Sequence, residues 1–295
     1  MTAPAGSHLV LVTRPQMSGR ALAAQLRAAG QDALWWPAFD LLAPQDPSGM
    51  LETIAHLADY DLVVFVSPAA VRAFAQALLA RAEVLAPSAA QPAASPPPSQ
   101  WPERTAIGAV GAATRSAVLA LLPGARRAHI VCPEGDAPAE GGSEALWAVL
   151  PALGSMPRRV LIARAQSGRQ WLSEQFTAAG AQVEEVAAYQ RVPHAPTGLE
   201  WSALHAGLAS AKRLAALFTS TEAVAALVDC LGRDTLARSA LDASVALSIH
   251  PRISAALLAS GLHDVHSCSA DVPSIVAALG AVRAHHADFV TLQAP

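Results

Sequence analysis

A chain of 295 residues, 53% of them hydrophobic, has the material for two cores of ordinary size, which excludes disorder throughout. A formal net charge of -3 supplies no broad basic face, so no nucleic acid partner is expected. Apolar runs are cut by charges or prolines short of a bilayer span, and no basic segment precedes an apolar one at the N-terminus, so no membrane partner is expected and the chain reads as a soluble cytoplasmic monomer.

In chain order, HLVLVTRPQMSGRALAAQLRAAGQDALWWPAF is an apolar strand, a polar turn, an amphipathic helix closed by Gly30 and a second strand. YDLVVFVSPAAVRAF follows as a strand running through Ser67 into a helix. Ala86 to Arg104, APSAAQPAASPPPSQWPER, is too rich in Pro, Ser and Ala for a regular element and is expected to be a mobile surface loop. TAIGAVGAATRSAVLALLPG is a third strand, turn and helix, with Thr114 in the turn, and GGSEALWAVL opens a helix on a polar cap.

The second half repeats these pieces. RVLIARAQSGRQWLSEQFTAAGAQVEEVAAY matches the opening unit: each strand ends on Arg (Arg14, Arg164), a Ser-Gly-Arg triplet follows (Ser18 to Arg20, Ser167 to Arg169), and the helix ends in Ala-Ala-Gly. Gly30 to Phe39 and Gly180 to Tyr189 have the same spacing, so Phe39 is the counterpart of Tyr189. RLAALFTSTEAVAAL then echoes the Ser67 segment through Ser220, SVALSIHPRISAALLASG echoes the Thr114 segment, and DVPSIVAALG echoes the last helix. Repeated strand-turn-helix units imply parallel sheets covered by helices, hence an α/β fold with two similar domains. The repeats alone leave a simple split near Pro151 open.

Ligands of such sheets gather beyond the carboxyl ends of strands, where helices begin. Ser67, Ser220 and Thr221 stand there, either as N-caps or lining an anion site. Gly108 and Gly111 resemble part of a dinucleotide fingerprint, but the third glycine and the following acidic residue are missing, so NAD is discounted. His263, His266 and Cys268 fall in a loop and short strand where alternate residues face opposite ways, which argues against a metal site. Cys132, Cys230 and Cys268 form no CxxC pair and read as small buried residues. His250 stands in the turn SIHPRIS opposite Gly111 of the other copy. There is no nucleophile elbow, P-loop or paired carboxylate motif, and the acidic residues read as solvated surface.

The ordered set LVTRP, FVSPAAV, AVGAAT, VLIARAQSGR with a Tyr-containing strand, FTSTEAV and SIHPRIS resembles the uroporphyrinogen-III synthase family, from about Leu9 to about Leu279 apart from the Pro-rich insertion. The resemblance implies two flavodoxin-like parallel α/β domains joined by a two-stranded crossover linker. One domain would be Met1 to Trp36 plus Tyr189 to Pro295, the other Asp40 to Val186, with LWWPAFDLL and EEVAAYQRV as crossing strands. It implies dehydrative closure of hydroxymethylbilane to uroporphyrinogen III with inversion of the last pyrrole ring, through an azafulvene and a spiro intermediate, in a cleft between hinged domains. No metal or organic cofactor is implied, and a transient contact with the preceding pathway enzyme is compatible with it.

Carried onto this chain, the resemblance makes Tyr189 the group that helps the hydroxyl depart, since a phenol with a reference value of about 10 is protonated at neutral pH. Thr114 matches the threonine of the VGxxT turn, and Ser220 and Thr221 match the second strand-end turn. A substrate with eight carboxylates would be held by helix N-termini, amides and a few arginines, for which Arg14, Arg164, Arg169 and Arg252 are candidates, with Ser67, Ser167, Gly168 and His250 completing the set. Thr221 stands where proline is common, and HPRIS departs from the usual pattern, so roles for His250 and Ile253 are not inherited directly. Two other readings stay open: a bilobal protein that binds an anion or tetrapyrrole without transforming it, and an inactive homologue.

Overall fold

The computed structural model describes residues 8–84, 101–134, 142–210 and 212–291. In chain order the first half contains β1 (His8–Val12), α1 (Gln16–Ala28), β2 (Asp32–Trp35), β3 (Phe39–Leu42), α2 (Ser48–Ala55), β4 (Leu62–Phe65), α3 (Pro68–Val84), β5 (Ala106–Ala109), α4 (Ala112–Leu121), β6 (Ile130–Val131) and α5 (Gly142–Val149). The second half adds β7 (Arg159–Ala165), α6 (Trp171–Ala178), β8 (Gln182–Pro193), α7 (Gly198–Ala209), β9 (Arg213–Phe218), α8 (Thr221–Leu231), α9 (Thr235–Asp242), β10 (Val245–Ser248), α10 (Pro251–Ala259), β11 (Val265–Ser267) and α11 (Val272–Thr291). Contacts divide the chain into two compact units, Met1–Leu41 with Val192–Pro295, and Leu42–Arg191. The division falls after Arg191, two residues beyond Tyr189, which moves that residue from the expected discontinuous domain into the unit that contains Ser67.

In the discontinuous unit the sheet order is β11-β10-β9-β1-β2, with every neighbouring pair parallel. Counted within the unit and read from β2, this is the order 2-1-3-4-5 of flavodoxin-like folds. Both faces are covered, as parallel sheets require. Leu9 and Leu11 join one core with Leu214, Ala216 and Phe218, while Val10 and Val12 join the other with Ala215 and Leu217. This division follows from the two-residue alternation of a strand.

The second sheet runs β3-β8-β7-β4-β5-β6, and its pairs from β8 to β6 are parallel. Starting the count at β7, the order β8-β7-β4-β5-β6 is again 2-1-3-4-5, so each sequence repeat occupies the same place in its sheet. The paired helices α1 and α6 end alike: Gly30 and Gly180 have φ of 80° and 87°, with Gln31 N–H donating to the Leu26 carbonyl and Ala181 N–H to that of Phe176. These are Schellman closures, which the Ala-Ala-Gly endings anticipated.

Three expectations are corrected. LWWPAFDLL is not one strand: β2 ends at Trp35, and β3 begins only at Phe39, beyond Pro37, which has no N–H to give a ladder. Trp101, at the end of the expected mobile loop, is a core residue only 2% exposed, with its indole N–H on the Thr105 carbonyl at 2.7 Å and its ring against Phe65 and Phe74. The rest of that loop up to residue 100 lies outside the described residues. The Ser-Gly-Arg triplets are not structural equivalents, because Gly19 lies inside α1 whereas Gly168 sits in a turn ahead of α6 with φ 136°. Among the described residues no helix is long and apolar enough to cross a membrane.

Candidate functional site

In the unit Leu42–Arg191, four strand ends carry candidate residues. Ser67 follows β4 and caps α3: the Ala70 N–H donates to its Oγ at 3.1 Å, and Pro68 opens the helix where no donor is needed. Thr114, in the first turn of α4, is 3% exposed. Ser167, Gly168 and Arg169 form an exposed turn after β7. Tyr189 lies late on β8, 5% exposed, and its hydroxyl is 3.2 Å from Ser67 Oγ.

A register break between β7 and β8 sets this meeting. Ala163 pairs with Val186 and Arg164 with Ala187, but Ala165 pairs with Tyr189, so Ala188 is an extra residue in β8. Paired residues share a face, so an unbroken ladder would put Tyr189 beside Glu185 and Arg164. The extra residue moves it to the face of Ala163 and Ala165, where Phe65 also points through its pairing with Ala163. Ser67, two residues beyond Phe65, faces the same way. The Gln166 N–H donates to the Tyr189 carbonyl at 2.8 Å and fixes the strand just past the bulge.

The arginines divide. Nη1 of Arg164 donates to both Glu185 oxygens, at 2.9 and 3.0 Å, and Ser173 also donates to Glu185. Arg164 is thus engaged inside the sheet by a partner that lies on its own face of β8. Arg169 pairs with Glu144 at 2.6 Å and lies over the Trp171 ring. On the opposite side of β8 from Glu185, Glu184 accepts from Thr53 at 3.1 Å and from the hydroxyl of Tyr60. Burial and the adjoining Glu184 push the Tyr60 phenol above its ordinary value.

Glu184 and Glu185 carry this polar structure, yet as part of EEVAAY they read only as surface charge. The available signal was their adjacency on a strand, which sends neighbouring side chains to opposite faces, one toward Arg164 and the other toward Tyr60.

In the other unit Ser220 caps α8, accepting from the Ala223 N–H at 3.2 Å, and Thr221 is exposed beside it. His250 caps α10 through Nδ1, which accepts from the Arg252 N–H at 3.0 Å. A neutral imidazole that accepts at Nδ1 carries its proton on Nε2; that nitrogen is buried and meets no hydrogen-bond partner among the described residues. Arg14 lines a cavity of about 620 Å³ with Ser18, Gln25 and Asp271, and burial lowers its guanidinium from the ordinary value. A cavity of about 570 Å³ bordered by His194, Trp201, His205 and Asp234 contains none of the candidate residues.

His266 is held by Asp264 at 2.6 Å, and Asp264 also pairs with Arg213 at 2.6 Å. The three cysteines are unpaired and half-buried, and burial raises the Cys268 thiol to about 11.

Residues 20–277 match the family model described as Uroporphyrinogen-III synthase HemD. Over 183 residues the chain is 33% identical to uroporphyrinogen-III synthase of Salmonella typhimurium and 30% identical to that of Escherichia coli; each alignment covers 62% of this chain and 64% of the relative. The chain therefore spans just under two thirds of the length of the curated relatives it matches. A crystal structure of a mutant uroporphyrinogen III synthase from Thermus thermophilus shares the fold with TM-score 0.55 at 18% identity, covering 95% of this chain and 99% of that one. One of uroporphyrinogen-III synthetase from Helicobacter pylori gives 0.51 at 15% identity, covering 92% and 96%. The family model, matched across both units, identifies the chain as a member of the uroporphyrinogen-III synthase family.

Proposed function

We propose that this protein closes hydroxymethylbilane to uroporphyrinogen III, with loss of water and inversion of the last ring. The observation that carries this reading is the family match over residues 20–277. The strand-end position of Tyr189 supports its mechanism. Departure of the hydroxyl needs a proton donor, and a phenol at neutral pH is one. Proton donation gives water and an azafulvene, which the last ring attacks through its substituted carbon to form the spiro intermediate. Fragmentation and re-closure then deliver the inverted ring.

The remaining candidates serve as anion holders in this reading. The amides of the Ser167-Gly168 turn and of the first turns of α4, α8 and α10, the hydroxyls of Thr114, Ser220 and Thr221, the donor Nε2–H of His250, and Arg14, Arg169 and Arg252 are assigned to substrate carboxylates. Arg164, committed to Glu185, is assigned instead to holding β7 against β8. Because the unaided bilane closes without inversion, the enzyme acts by positioning as much as by lowering a barrier.

Purified protein incubated with freshly made hydroxymethylbilane, followed by oxidation and separation of the porphyrin isomers, tests the reading. Isomer III formed faster than spontaneous closure is the expected result. Isomer I alone, at the unaided rate, overturns it.

A further inference from the structure

We propose that Ser67 is a positioning residue for the phenol of Tyr189: its hydroxyl donates to the Tyr189 oxygen and leaves the phenolic proton directed at the substrate's departing hydroxyl. This rests on the role given to Tyr189 above and goes beyond it, reassigning Ser67 from substrate contact to control of the proton donor.

A serine hydroxyl has one proton and two lone pairs. The Ala70 N–H occupies one lone pair of Ser67 at 3.1 Å, which leaves its proton and a second lone pair for the Tyr189 oxygen at 3.2 Å, so either hydroxyl can donate across that contact and the proposal takes Ser67 as the donor. Were the bond reversed, the phenol would use its proton on Ser67 and have none for the substrate. Donated from Ser67, the bonds form one directed chain: Ala70 N–H to Ser67 Oγ, Ser67 O–H to Tyr189 Oη, Tyr189 O–H to the leaving oxygen. Each link polarises the next. The chain begins in the first turn of a 17-residue helix, whose N-terminal end carries partial positive charge. Negative charge growing on Tyr189 Oη during proton transfer is therefore met by a donor already in place.

The sheet builds this contact. Without the extra residue Ala188, Tyr189 would face Arg164 and Glu185, and Ser67 would cap α3 with no phenol beside it. A cap needs no bulge in another strand, whereas a proton donor that must meet Ser67 does.

The step balances. The phenolic O–H breaks as an O–H forms on the hydroxyl, and the C–O bond breaks with its electron pair leaving on water. The pyrrole nitrogen supplies electrons to the vacated carbon. The phenolate regains a proton from the pyrrole carbon that loses hydrogen at closure, so one water is lost in all.

The test is a double-mutant cycle of Ser67→Gly and Tyr189→Phe, with Ser67→Thr as the rescue. Glycine is nearly as good an N-cap as serine, so Ser67→Gly removes the hydroxyl while keeping the helix start. In the wild-type background we expect kcat for isomer III to fall about tenfold, with KM within about twofold, and Ser67→Thr to recover most of it. In the Tyr189→Phe background Ser67→Gly should change kcat by less than about twofold, because the group it acts through is gone. A full additional loss in that background, a rise in KM with kcat unchanged, or wild-type kcat in Ser67→Gly each overturns the proposal. Wild-type protein that yields only isomer I, or Tyr189→Phe as fast as wild type, instead overturns the reading beneath it, and the proposal with it.

Discussion

Arg164 and Glu185 face each other within the second sheet, one guanidinium nitrogen donating to both carboxylate oxygens at 2.9 and 3.0 Å. The arginine side chain is 9% exposed and the glutamate 32%. Removing one partner leaves a desolvated charge with nothing to balance it, whereas removing both leaves only a packing defect. Glu185→Ala should destabilise the protein by about 1–3 kcal/mol, less than a fully buried pair would cost because Glu185 reaches water. Replacing both, with Arg164→Met and Glu185→Leu, should cost less than the single change. Urea unfolding midpoints of the three proteins check this, and a double variant weaker than Glu185→Ala would show the pair to be a net source of stability.

Tyr189→Phe should lower kcat for isomer III by roughly tenfold or more, the lower range of proton-transfer contributions being about a hundredfold. Its melting temperature should stay near that of wild type, because the ring provides the packing and Phe39 already occupies the counterpart position in the other repeat. A variant as active as wild type would reduce Tyr189 to a core residue. Turnover and thermal unfolding measured on the same preparation separate the two cases.

Tyr60 gives a prediction in pH. Burial first, and then Glu184, raise its phenol above the ordinary value near 10. A raised folded value means that the native state keeps its proton while the unfolded chain loses it. The stability from the Tyr60–Glu184 bond is therefore fully present below about pH 10 and declines as pH rises toward the folded value. The stability difference between wild type and Tyr60→Phe should be constant from pH 8 to about 9.5 and narrow above 10. Denaturant titrations at a series of alkaline pH values measure it, and a gap that stays constant to pH 11 would contradict the assignment.

Features written in local patterns were legible in the sequence. Apolar strand runs, polar turns and closing glycines repeat in order, and they gave the α/β class and the matched helix ends at Gly30 and Gly180, whereas the flavodoxin-like arrangement of the sheets was expected only through the family resemblance. Ser67 and Ser220 were legible as residues at helix starts because N-caps have a residue signature. The bulge at Ala188 was not, since alanine carries no mark of an extra residue, and plain alternation would place Tyr189 on the face of Arg164 and Glu185. Arg164 read as an anion ligand because its partner is 21 positions away on the neighbouring strand. Trp101 read as loop because composition averages over a segment and hides one anchored ring at its end.

The unlike settings of the two Ser-Gly-Arg triplets supply the last prediction. In α1, a Cβ on Gly19 would stand 1.8 Å from the Arg14 carbonyl oxygen and 2.9 Å from the Trp35 indole nitrogen, which itself donates to that oxygen at 3.0 Å. The neighbours are backbone and a ring fixed by its hydrogen bond, so no rotamer change relieves the clash. Gly19→Ala should force the strand-to-helix turn apart and cost about 3 kcal/mol, the upper end for overpacking. Gly49, in the first turn of α2, has nothing within 4 Å of the same position. Gly49→Ala should be neutral or stabilising by up to about 1 kcal/mol through helix propensity alone. Both glycines are helical and neither has positive φ, so the contrast isolates space from conformation. Chemical denaturation of the pair of variants measures it, and equal effects would mean that the close approach of Gly19 to Arg14 does not govern the turn.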